Sequence, residues 1–339
     1  HRPLPSGTAR HTAFAVVAAK LALDDAGIAL DELQRLHCVI VTGSGYMDFG
    51  GISNAIDAVR KDGHGAAHRR APYTMDIGGV PSVINNTFEI GARTMAFSTQ
   101  CVAGMDAIGH AAELVATGEA EIAICGGTDA PLHRFPLLEL RAAGLTPMTV
   151  DMPDRLARPF DRWRTTGVIS EGACMFVLEP GESSRPGYCY VSGYANANDV
   201  AHELCGGMFD ATRHALAEAR VRPSEIESIN AWGPGHKLVD WREAQMMVKI
   251  FNLSLAEIPV VSIKGSIGSP VGAAPAIQVA AAAIGQRCSI IPPTVNWEYP
   301  DPGCPLNLSS RGRTVSHANA LVNAHGIGGL NSSLVLQRC

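Results

Sequence analysis

The feature that most narrows the folds open to this chain is an internal repeat. Residues 19–45, AKLALDDAGIALDELQRLHCVIVTGSG, and residues 212–235, TRHALAEARVRPSEIESINAWGPG, share one order: helix, short acidic connector, apolar strand, Gly-rich loop. The likeness continues downstream. Thr94–Ser98, Cys101 and the helix-compatible run Val102–Ala116 match 258–263, the turn KGSIGSP and the run Val271–Ile284. Glu121–Cys125 with GGTD matches Ala318–Asn323 with HGIGGLN, and GACMFVLEP (172–180) matches LNSSLVLQR (330–338). Helical periodicity alternating with short apolar strands predicts mainly parallel sheets with helices on their faces. A repeat of this length makes each half one α/β unit, with boundaries expected at 1–185 and 186–339. The second half opens with a further strand, Tyr188–Tyr194, that has no counterpart in the first. The first half is therefore expected to lack its opening strand, in a chain that starts on His1 rather than Met and reads as a fragment.

Composition excludes several classes. The chain has 339 residues, 46% hydrophobic and 17% charged, so it must bury a large core, an interface or both. A net charge of -5 offers no basic field for nucleic acid. Nine scattered cysteines without a CxxC pair fit a reduced, cytoplasmic setting rather than a disulfide framework or a zinc site. The most apolar helix, Val271–Ile284, is too short to span a membrane, and no signal peptide is apparent.

Within the repeat, chemistry concentrates at Cys101. The cysteine follows a buried strand and opens a helix, where first-turn N–H groups and the helix dipole favour a thiolate. Such a turn suits an activated nucleophile, and it equally suits a small packed side chain.

Two βαβαβαββ units with a cysteine in this turn make the thiolase-like plan, layered α-β-α-β-α. The residues also resemble the β-ketoacyl synthases, the condensing enzymes of fatty-acid and polyketide synthesis, over almost the whole chain. The resemblance rests on STQCVAGMDAIGHAAELVATGEAEIAICGGTDAP, ARPFDRWRTTGVISEGACMFVLE, SIKGSIGSPVGAAPAIQVA, IIPPTVNWEYPDPGCPLNL and NAHGIGGLNSSLVL. GMDAIGHA and the NAWGPGHKLVD spacing are most similar to ketosynthase subunits of type II polyketide systems.

The resemblance implies that Cys101 accepts the acyl group, with its own N–H and that of Ile327 as the oxyanion hole. It puts Glu171 and Lys264 at the places of a buried Glu and Lys that orient the site. It implies no bound cofactor, an acyl carrier protein whose phosphopantetheine arm delivers substrate, and a dimer, homo- or heteromeric, formed through the strand MAFST. Arg155, Arg158, Arg162 and Arg164 are candidates for meeting that carrier, against the plainer reading of a solvated loop.

The sequence also departs from the family. The two histidines that assist decarboxylation and stabilise the enolate are replaced by Trp232, in NAWGP, and by Ser269, in KGSIGS. An indole N–H donates a hydrogen bond but does no acid–base work near neutral pH, and serine substitutes weakly. His325 stands before the oxyanion loop where the family has a bulkier apolar residue. It reads as a base for Cys101, as a donor to a reacting carbonyl, or as a loop histidine bonded to backbone. His236 reads as a pocket residue or a solvent-facing one. Gly167 and Ile327 each replace a phenylalanine, which predicts a pocket reshaped for a bulkier acyl group. The expected activity is acyl transfer from a carrier thioester to Cys101 with an atypical second step; the alternative is a non-catalytic partner subunit of the chain-length-factor kind.

Overall fold

The computed structural model describes residue 4 and residues 7–66, 75–148, 152–200 and 203–339. The chain divides into two compact units. The first comprises residues 1–137, 171–185 and 270–276; the second comprises 138–170, 186–269 and 277–339. A cut at 185/186 thus separates the strands of the two halves, whereas the connections at 138–170 and 270–276 each pack with the other half's unit.

The first unit holds a four-stranded sheet of β1 (Cys38–Gly43), β2 (Arg93–Phe97), β3 (Ile122–Asp129) and β4 (Gly172–Leu178), in the order β2-β1-β3-β4. β1 runs parallel to β2 and β3, and β4 closes the sheet antiparallel to β3. Alternation assigns the faces. Cys38 and Ile40 of β1, with Ile122 and Ile124 of β3, pack against the helices Arg10–Ala26 and Gly79–Phe88. The opposite face receives the helix Ala103–Ala116. The first of these helices ends at Gly27, whose φ of 66° is the left-handed conformation that a C-terminal cap requires.

The second unit repeats this sheet and adds a strand. It contains β5 (Cys189–Asn198), β6 (Ser228–Asn230), β7 (Val260–Val261), β10 (Asn319–Gly326) and β11 (Leu330–Arg338), in the order β5-β11-β10-β6-β7. A separate small ribbon pairs β8 (Ile290–Ile291) with β9 (Arg313–Thr314). Matching β7, β6, β10 and β11 to β2, β1, β3 and β4 leaves β5 over, paired antiparallel to β11. Among the described residues no strand flanks β4 on that side, as the unmatched Tyr188–Tyr194 run predicts. The helix Gly206–Ala219 covers β5 and β11. The helix Ala274–Cys288 is tied to the sheet through two buried amides: Gln278 Nε2 donates to Ala231 O at 2.8 Å, and Gln286 Nε2 to Ala318 O at 2.7 Å.

Candidate active site

In the first unit, Cys101 lies half-buried in the 3-10 turn Gln100–Val102, from which the helix Ala103–Ala116 continues. Gln100 carries a φ of 53°, a left-handed conformation that strains a residue with a Cβ. The turn is held from several sides. Thr99 Oγ1 donates to the buried Asp106 carboxylate, which ties the end of β2 to the helix across Cys101. Glycines let the backbones close in: a Cβ on Gly43 would lie 2.1 Å from Ala103 O, and one on Gly104 would lie 2.5 Å from Gly272 O. The strand-turn-helix expected at Cys101 is therefore present, and it is rigidly built.

Behind the turn lies Asp129, at the end of β3 and fully buried. Its carboxylate accepts from Gly45 N at 2.8 Å, Tyr46 N at 3.0 Å, Gly272 N at 2.7 Å and Ser44 Oγ at 3.2 Å. Burial pushes its pKa up to about 7, against the pull of these four donors. The segment GGTD offers no sequence signal for such a clamp beyond an acid that ends an apolar strand.

Glu171 is also in this unit, and the structure corrects the expectation of a buried orienting acid. Its carboxylate is half-buried and accepts from the exposed Arg10 guanidinium, with Arg10 Nε at 2.9 Å.

In the second unit, Lys264 is 1% exposed. Its ammonium donates to Trp232 O at 2.7 Å and to Gln278 Oε1 at 3.1 Å. The same Nζ stands 3.2 Å from the centroid of the Trp232 ring, a buried cation–π contact. Lys264 and Trp232, read separately from the sequence, thus form one cluster. Two buried acids, Glu243 and Asp240, lie within its electrostatic reach; Glu243 accepts from Trp232 N at 2.7 Å and Gly233 N at 2.8 Å. Burial raises the Glu243 pKa, while these donors and the Lys264 charge oppose the rise. Asp240, one turn earlier on the helix Lys237–Phe251, accepts from Phe160 N and Gly235 N; burial moves its pKa to about 7. The sequence sign of this pair is an acidic i, i+3 couple, DWRE, soon after a Gly-rich loop, and it passes easily for a solvated helix face.

Three expectations change on the structure. His236 is half-buried and caps the helix Lys237–Phe251, its Nδ1 accepting from Leu238 N and Val239 N at 3.3 Å each. Burial and the nearby Arg164 charge lower its pKa, as a neutral acceptor requires. Gly167 does not vacate pocket volume. A Cβ there would lie 2.9 Å from Pro234 O, so backbone approach accounts for the glycine. The arginine run divides. Arg164 is buried against Asp240 and Asp301, and Arg158 pairs with Asp161 and Glu298. Of the four, only Arg155 and Arg162 stand exposed, the latter over the exposed Trp163 ring.

Ser269 is largely buried, its backbone paired with the strand-like run 168–170 through Ser269 N to Val168 O at 2.7 Å and Ser170 N to Ser269 O at 3.1 Å. His325, near the end of β10, is also buried, and its Nδ1 lies 2.8 Å from the Asn331 side-chain oxygen rather than on backbone. Ile327 sits at the tip of the β10–β11 turn, 42% exposed, ahead of Gly328 and Gly329 with φ of 89° and 78°. Its N–H has no hydrogen-bond partner among the described residues, the condition an oxyanion donor must meet.

The model of the beta-ketoacyl synthase N-terminal domain matches residues 7–184, and that of the C-terminal domain matches 188–298. The tetracenomycin polyketide synthase ketoacyl synthase alpha subunit of Streptomyces glaucescens is 32% identical over 97% of this chain and 81% of its own length. The 3-oxoacyl-(acyl-carrier-protein) synthase 2 of Coxiella burnetii is 27% identical over 96% of this chain and 81% of its own. The ishigamide ketosynthase/chain length factor structure superposes with a TM-score of 0.92 at 29% identity, covering all of this chain and 84% of that one. The fold is accordingly thiolase-like, and the chain belongs to the beta-ketoacyl synthase family.

Proposed function

We propose that this chain is an acyltransferase that takes an acyl group from a carrier-protein thioester onto Cys101 and passes it on without decarboxylative condensation. The observation that carries the reading is the Trp232–Lys264 stack in a chain that keeps its nucleophile turn intact. At the position where the family has a histidine, an indole ring is held 3.2 Å under a buried ammonium. That ring neither takes nor gives a proton near neutral pH, and Ser269 supplies no acid–base group at the second position. Decarboxylation of a malonyl unit therefore lacks its usual assistance, while thioester exchange on Cys101 needs none of it.

In the first step the Cys101 thiolate attacks the thioester carbonyl. The C–S bond to the phosphopantetheine arm breaks, and the arm leaves as a thiol. The Cys101 and Ile327 N–H groups are the proposed oxyanion donors, and His325 is the proposed base. The proposed partners are an acyl carrier protein, which the Coxiella relative carries in its name, and a second ketosynthase-type subunit, as in the ishigamide ketosynthase/chain length factor.

The test is intact-mass analysis after incubation with hexanoyl- and malonyl-loaded carrier protein. A hexanoyl adduct abolished by Cys101→Ala, without carbon dioxide release from the malonyl carrier, is the expected result. Normal carbon dioxide release would restore ordinary condensation. No adduct from either donor would sink the enzyme reading.

The Trp232–Lys264 stack also favours a second reading, a chain-length-factor-like subunit that shapes a partner's pocket. That role predicts co-purification as a heterodimer with a complete ketosynthase, and no adduct.

A further inference from the structure

His325 is set in a hydrogen-bond chain made from three elements. Asn331, at the start of β11 and 1% exposed, turns its amide nitrogen toward three acceptors. These are Asp199 Oδ1 at 2.8 Å, Gly329 O at 2.9 Å and Ala197 O at 3.3 Å. Three acceptors around one atom identify it as the NH2 group, so the atom facing the imidazole, 2.8 Å from His325 Nδ1, is the carbonyl oxygen. An amide oxygen only accepts, so Nδ1 must carry the proton. In neutral His325 the lone pair then belongs to Nε2, which has no hydrogen-bond partner among the described residues.

Asp199 is itself pinned. Its Oδ2 accepts from Cys205 N and its Oδ1 from Gly207 N, both at 2.9 Å, where the helix Gly206–Ala219 begins. The backbone makes room for the arrangement. A Cβ on Gly207 would stand 2.7 Å from Asn331 Nδ2, and one on Gly329 2.8 Å from Asp199 Cβ.

We propose that Asn331, anchored by Asp199, is a positioning residue that fixes His325 as the Nδ1–H tautomer, so that His325 serves as a base through Nε2 and not as a donor to a carbonyl. The inference rests on the acyl-transfer reading and decides between the base and donor roles, the two catalytic ones that the sequence leaves open for this histidine. In the acylation step Nε2 holds the proton that the Cys101 thiol gives up in forming the attacking thiolate and returns it to the departing pantetheine sulfur. The Nδ1 proton stays on Nδ1 throughout, donated to the Asn331 oxygen, and the imidazolium formed in passing is stabilised by the amide dipole.

The first measurement is the tautomer itself, read from long-range 1H–15N correlations of histidine-labelled wild-type protein at neutral pH, with His325→Phe to assign the resonances. Nδ1–H is expected. Nε2–H would overturn the inference whatever Cys101 does. The second measurement uses Asn331→Ala and Asn331→Gln with hexanoyl-pantetheine as acyl donor. Asn331→Ala should slow Cys101 acylation about tenfold and move the tautomer toward Nε2–H, with partial rescue in Asn331→Gln, whose amide oxygen still reaches for Nδ1. An unchanged rate and pH profile in Asn331→Ala would overturn the positioning role. Absence of any acyl adduct in wild type, with Nδ1–H observed, would instead remove the acyl-transfer reading and with it the role of base.

Discussion

Two turns in the first unit have the same construction and opposite chemistry. Gln100–Val102 and Val271–Ala273 are both 3-10 turns that lead directly into long helices, and the two pack against one another. Each begins on a non-glycine residue with positive φ, 53° at Gln100 and 42° at Val271. The second position is Cys101 in one turn and Gly272 in the other. Gly272 has no room for a side chain: a Cβ would lie 2.7 Å from Gly45 N and 2.8 Å from Asp129 Oδ2. Its carbonyl is the surface on which Gly104 and Gly127 rest, each with a Cβ position 2.5 Å away. One copy of the repeated turn thus presents a thiol, and the other has become the backing that holds that thiol's helix in place.

The likeness of the two turns fails most severely where backbone meets backbone. Gly272→Cys would restore the cysteine to both copies, yet its Cβ would collide with Gly45 and Asp129, and the expected outcome is a protein that does not fold, at a cost of about 5 kcal/mol. Gly43→Ala is expected to fail in the same way against Ala103 O. Soluble yield and urea denaturation check both. A stable Gly272→Cys protein with two acylated cysteines would show that the two turns are interchangeable.

Next in size is the carboxylate that joins the turns. Asp129 accepts from Gly272 on one side and from Gly45 and Tyr46 on the other, and its folded pKa of about 7 lies above the ordinary value of 3.8. A carboxyl whose folded pKa is raised contributes stability fully below its unfolded pKa and loses it as pH rises through the folded value. Wild-type stability relative to Asp129→Asn should therefore fall by about 4 kcal/mol between pH 4 and pH 7, and level off above. Denaturant titrations of both proteins across this range give the difference. A flat difference would mean that the four donors already offset the burial.

Trp232 and Ser269 supply no acid–base group at the two positions where the family has histidines, and activity reports on that lack. Trp232→His with Ser269→His should raise carbon dioxide release from a malonyl carrier by about a hundredfold if those two positions limit condensation. The gain depends on Lys264 tolerating the loss of its ring partner. Release unchanged from wild type would place the limit in the pocket, with the indole incidental.

These contrasts also show what a sequence exposes. The repeat is legible because strands of apolar residues and amphipathic helices recur in the same order, and β5 stands out as the unmatched strand for the same reason. Cys101 is legible as a residue type in a turn. Asp129, Glu243 and Asp240 are not, since a lone acid gains its meaning only when burial removes its water and N–H groups from distant loops replace it. His236 stays open between a pocket and a solvent-facing position because a helix cap shows itself only through the N–H groups it faces. Gly167 misleads in the same manner: substitution of a large residue by glycine suggests space, and the structure fills that space with the Pro234 carbonyl.

The smallest effect separates strain that serves the thiol from strain that serves packing. Gln100 is half-buried and carries a polar side chain outside the apolar core, so Gln100→Gly relieves a left-handed conformation while giving up little apolar contact. The expected gain is about 1 kcal/mol, reduced by the freer unfolded chain that glycine brings. Val271 is 1% exposed, so Val271→Gly relieves the same strain but forfeits a buried side chain, and no net stabilisation is expected. Urea midpoints of the two variants test the asymmetry. Cys101 acylation gives the second reading: if the strained residue exists to aim the thiol, Gln100→Gly should be more stable and slower, and a variant that is more stable and equally fast would assign the positive φ to chain geometry alone.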